Sequence, residues 1–166
     1  MEVQKFYEFI QRNRICSNIN RQIKDFDSKN AQIKEITHVS LAFINQQIPQ
    51  NNCEILRQGL TQFINLTHFQ MIINVGRAYN YEQVIINVSE ALKNLNNLQN
   101  LNLNIQALIN PEVAAKLGQT LSVLKKLQNL DLVFEQNVNI CEKGSSELAK
   151  GIKCLGNLQH LSLKIK

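Results

Sequence analysis

The chain has 166 residues, 44% of them hydrophobic, enough for one domain with a buried core. Its net charge of +5 and pI of about 9.1 are mildly basic, and its lysines fall in small groups (Lys125–Lys126, Lys150–Lys153, Lys164–Lys166), not in the dense stripe that disposes a surface toward nucleic acid. No segment approaches the roughly 18 consecutive apolar residues of a membrane span, and Met1–Ile10 lacks the apolar run of a signal peptide, so the expected compartment is the cytoplasm.

Residues 1–35 carry Phe6, Ile10, Ile15, Ile19, Ile23 and Phe26 at mostly helical spacing, which predicts a helical N-terminal cap. From residue 36 the pattern becomes a repeat. Leu98-Gln99-Asn100-Leu101-Asn102-Leu103 returns as Leu127-Gln128-Asn129-Leu130-Asp131-Leu132 and as Leu158-Gln159-His160-Leu161-Ser162-Leu163. Looser copies begin at Ile36 and Leu66. Each block is apolar at positions 1, 4, 6 and 8, and the alternation of 4, 6 and 8 predicts a strand.

The blocks start at residues 36, 66, 98, 127 and 158, so the intervals are 30, 32, 29 and 31. Before the last four starts, offsets of 3, 6 and 10 are again apolar: Phe63, Leu95, Leu124 and Leu155; Leu60, Leu92, Leu121 and Ile152; Leu56, Val88, Leu117 and Leu148. Those offsets share one face of a helix. Each unit therefore reads as strand, turn and amphipathic helix. Asn110-Pro111 suits an N-cap followed by N1, and Gly144-Ser145 is expected to open the fourth helix. Roughly a quarter of the chain is Asn or Gln, much of it between strand and helix.

These residues resemble the leucine-rich-repeat family, in the longer, helix-containing class typified by ribonuclease inhibitor and with the extended repeats common in protist members. The resemblance runs from Ile36 to Lys166. It implies an α/β solenoid: a curved right-handed stack with parallel strands on the concave face and helices on the convex face. About four units and a final strand would follow the cap. The family's strand motif ends in an Asn that bonds the turn backbone, and Asn45, Asn74 and Asn137 are the candidates.

In such a stack, positions 3, 5 and 7 of each strand face outward on the concave side. They place His38 and Ser40, His68 and Gln70, Asn102 and Asn104, Asp131, and His160 and Lys164 on a polar, nearly uncharged surface. The loop Asn74-Val75-Gly76-Arg77-Ala78-Tyr79-Asn80-Tyr81 offers Tyr79 and Tyr81 as contact residues, since exposed Tyr and Arg favour interfaces. The competing reading is that both tyrosines staple the loop to the next helix. The final strand, with Leu161, Leu163 and Ile165, lacks a following helix, and a partner or further repeats are expected to cover it.

Catalytic chemistry is not expected. The six glycines form neither GxGxxG nor a phosphate loop, and no GxSxG elbow occurs, so no cofactor is implied. Cys16, Cys53, Cys141 and Cys154 lack CxxC spacing and read as free thiols. His38 and His68 should be neighbours, but two imidazoles without a third ligand make a poor zinc site. The function expected is a non-catalytic protein–protein interaction scaffold, a subunit of a larger assembly. The runner-up is a recognition module within a longer signalling protein, such as kinase- or ubiquitin-ligase-associated repeats.

Overall fold

An apolar residue at every second position makes every expected block a strand in the computed structural model, which describes residues 5–6, 8, 16–17, 35–44, 50–74, 81–107, 109–135 and 140–165. In chain order the elements are β1 (Cys16–Ser17), β2 (His38–Ile44), α1 (Gln50–Leu60), β3 (His68–Asn74), α2 (Glu82–Leu92), β4 (Asn100–Gln106), α3 (Pro111–Val123), β5 (Asn129–Phe134), α4 (Cys141–Lys153) and β6 (His160–Ile165). Strands β2 to β6 are parallel neighbours in one open sheet, each separated from the next by a helix. This is a strand–helix repeat stack. Among the described residues no helix is long and apolar enough to cross a membrane.

The register follows the repeat without a slip. His38 pairs with His68, His68 with Asn100, Asn100 with Asn129, and Asn129 with His160. A one-residue shift would turn each apolar triplet to the other face, so burial holds the register. Val39, Leu41 and Phe43, and their equivalents on β3, β4 and β5, are 2% exposed or less. The helices meet them with Leu56 and Leu60, Val88 and Leu92, and Leu117 and Leu121, forming one continuous core.

The turns repeat as closely. The carbonyls of Thr37, Thr67, Gln99 and Gln128, each just before a strand, accept two backbone N–H bonds from the same point of the next unit. Asn97 Nδ2 donates to the Ile64 carbonyl at 3.1 Å, and Asn157 Nδ2 to the Lys125 carbonyl at 2.7 Å. An asparagine thus links two pairs of helix-to-strand turns, and between these pairs Lys126 Nζ donates to Asn97 Oδ1 at 2.8 Å. Of the strand-end asparagines expected from the sequence, Asn74 is exposed, and Asn45 and Asn137 lie outside the described residues. These two amides, of Asn97 and Asn157, stand one residue before the repeat starts at 98 and 158, and Lys126 holds the same place before 127.

Two expectations change. The fourth helix begins at Cys141, so Gly144 lies inside it, where a Cβ would come 3.1 Å from the Pro111 Cα. Within 1–35 the described residues are not all helical: β1 pairs antiparallel with β2, Cys16 opposite Ala42, and so covers the edge of the first repeat strand. Phe6 does lie in a helical segment, fully buried, edge-on to Phe63 at 5.7 Å and against Gly59, where any Cβ would strike its ring. Ile10, Ile15, Ile19, Ile23 and Phe26 lie outside the described residues.

At the other edge, Leu161, Leu163 and Ile165 of β6 are 49%, 44% and 47% exposed. They stand at the repeat positions that are buried in the four preceding strands.

Candidate functional site

Helices cover one face of the sheet, and the other face presents positions 3, 5 and 7. Rows 3 and 5 line a groove of about 850 Å³ running across the sheet from β2 to β6. His38, Ser40, His68, Gln70, Asn102, Asp131 and His160 all line it, as the repeat positions require. Asn104 and Lys164 lie on the same sheet face one row further along, outside the lining. Asn100, Asn129 and Ser162 also line the groove, and their repeat positions were the signal for them.

The row-3 side chains are linked across the strands. Asn129 Nδ2 donates to Asn100 Oδ1 at 2.5 Å, and Asn100 Nδ2 lies 2.8 Å from His68 Nε2. On the other side of the ring, His68 Nδ1 lies 2.9 Å from Thr67 Oγ1, whose hydroxyl donates to the Thr37 carbonyl at 3.0 Å. A carbonyl can only accept, so the Thr67 proton is committed to it and Thr67 Oγ1 accepts from His68 Nδ1–H. Nε2 is then left as the acceptor for Asn100. The directions assign a neutral His68 with its proton on Nδ1.

The His38 and His68 rings stack at 3.9 Å with 16° between their planes. Burial, and then the charge His38 would carry, hold the His68 imidazole below its ordinary value. Stacking disfavours a second proton, because two imidazolium rings at this distance repel. Thr37 Oγ1 lies 2.8 Å from His38 Nδ1.

In row 5, Ser40 Oγ donates to Gln70 Oε1 at 3.2 Å, and Asn102 Nδ2 donates to Asp131 Oδ2 at 3.0 Å. Ser40 is therefore bonded to an amide, not to a base that would activate it. Asp131 is the one carboxylate among the lining residues, and no Lys or Arg lines the groove. Among the described residues, no three or more His, Cys, Asp or Glu are grouped to hold a metal. Cys53 is buried on the helix side, where burial pushes its thiol up, and Cys154 is exposed past the end of α4.

Tyr81 requires a correction. It is 2% exposed and packs edge-on to Phe43, ring centres 6.2 Å apart. Its ring enters the core between β2 and the start of α2, where apolar area is removed from water, so Tyr81 acts as a staple and not as an exposed contact residue. Tyr79 lies outside the described residues.

The surface as built can exchange hydrogen bonds through amides, hydroxyls and imidazoles, with one negative charge. Comparison with protein-family models, curated proteins and solved structures finds no match.

Proposed function

We propose that the chain is a leucine-rich-repeat interaction module: a non-catalytic scaffold that holds other proteins and serves as a subunit of a larger assembly. The observation that carries this reading is the groove of about 850 Å³ across the sheet face that the helices leave free. Its amides and hydroxyls suit polypeptide better than polyanion, since no lysine or arginine lines it. Leu161, Leu163 and Ile165 of β6, 44–49% exposed, offer a second apolar area that a partner or further repeats would cover.

The test is capture of partners by tagged chain from its native cells, with mass spectrometry, comparing wild type with Leu163→Lys and with Asn100→Arg. Stoichiometric partners lost on either substitution, with folding retained by circular dichroism, would support the scaffold. Recovery of the chain with nothing bound in stoichiometric amount would count against it. Turnover of a substrate by the purified chain would replace it with an enzymatic reading.

A further inference from the structure

Asp131 lies mid-strand on β5, between Asn129 and Val133 along the strand, with Asn102 and Ser162 opposite it on the flanking strands. A carboxylate has room for about four hydrogen bonds. Here Oδ2 accepts one, from Asn102, while Oδ1 is shielded from solvent and has no hydrogen-bond partner among the described residues. None of the ion pairs among the described residues includes Asp131. The shielded oxygen of Asn104, one row along on β4, likewise has no donor. The centre of the sheet face is therefore rich in acceptors and short of donors, with one half-buried carboxylate that is in no ion pair among the described residues.

A charge held this way is stabilised by a positive group beside it, because the field acts through a poorly solvated region even where only Oδ2 is touched. We propose that the groove receives a segment of a partner protein that sets an arginine or lysine side chain on Asp131. This rests on the interaction-module reading and names the chemistry of its partner. A guanidinium fits especially well, since one of its N–H groups can bond Asp131 Oδ2 while another reaches a neighbouring amide oxygen. Phosphate and nucleic acid fit poorly, because the same carboxylate repels them. The chain as a whole carries +5, so bulk attraction cannot draw in a cation and any such binding must be local.

The probe is the blocked peptide acetyl-Gly-Gly-Arg-Gly-Gly-amide, titrated into ¹⁵N-labelled full chain and followed by amide chemical shifts. Its partner probe carries citrulline for arginine, which keeps the shape and removes the charge. Saturable shifts centred on Asn102, Asn129, Asp131 and Ser162 are expected. Affinity should fall about fivefold for the citrulline peptide and for Asp131→Asn, as for a half-exposed ion pair. The citrulline comparison leaves the protein untouched, so a folding defect in the variant cannot imitate the result. Equal binding of both peptides, shifts away from these residues, or stronger shifts with a Glu-bearing peptide or inorganic phosphate would overturn the proposal. If partner capture is lost on Asn100→Arg but is indifferent to Asp131→Asn, the interaction module stands and the arginine inference alone fails.

Discussion

Helices α3 and α4 touch backbone to backbone, and replacing Gly118 by alanine tests that contact. A Cβ built at Gly118 would lie 2.3 Å from the Glu147 carbonyl oxygen, and one at Gly151 would lie 2.1 Å from the Gly118 oxygen. Carbon and carbonyl oxygen normally stay about 3.3 Å apart or more, so the helices must separate by about 1 Å. No side-chain rotation relieves a clash with backbone. Overpacking of this kind costs about 1–3 kcal/mol, and the parting helices lose dispersion contacts as well. Against that, Gly→Ala inside a helix contributes about 1 kcal/mol through propensity. The packing term should win, for a net loss of about 1 kcal/mol in Gly118→Ala. For a chain of this size that is a fall of about 2–4 °C in melting temperature. Gly156→Ala is the control, since nothing lies within 4 Å of its added Cβ, and it should change stability by less than about 0.5 kcal/mol. Urea unfolding followed at 222 nm measures both, and Gly118→Ala with Gly151→Ala should be less than additive because the first already parts the helices. A Gly118→Ala chain as stable as wild type, or more so, would refute the close approach.

Tyr81→Ala should cost about 3–5 kcal/mol in urea unfolding, as for other buried aromatics; unchanged stability with weakened partner capture would restore it as a contact residue. His68 should titrate by NMR with a midpoint below 6.5, and a midpoint at or above that value would contradict the stack and the ladder. Because the folded imidazole resists its proton, the unfolded chain binds more protons in this range. The His68 contribution is therefore fully present above about 6.5 and is lost as pH falls through the lower folded value, so the acid-side drop in melting temperature should be shallower in His68→Gln. Native chain treated with iodoacetamide at pH 8 should be alkylated at Cys154 and protected at Cys53, whose thiol is buried and pushed up, until urea is added; equal labelling in peptide maps would refute that burial.

Much of this molecule could be read from spacing. The apolar residues at block positions 4, 6 and 8 made strands β2 to β6 and their register, because a period of two on a half-buried strand admits one orientation. The offsets of 3, 6 and 10 located the buried side of each helix for the same reason at period 3.6. Those two periods also placed His38, His68 and Asp131 on one surface. Spacing is silent wherever direction depends on what lies across the gap. Strand β1 is two residues long and carries no period, so its antiparallel pairing is set only by the free edge of β2. Tyr81 has the same sequence signature whether it points to solvent or to Phe43. Gly118 and Gly151 look like helix-weakening residues until two helices are brought together at that point. The row from Asn129 through Asn100 to His68 has a direction, and so a protonation state, only because Thr67 is held by a carbonyl of the neighbouring unit. The sequence by itself determined which residues face inward, because burial follows local period; the tertiary structure decided edges, helix contacts and hydrogen-bond direction, because each depends on a partner distant in the chain.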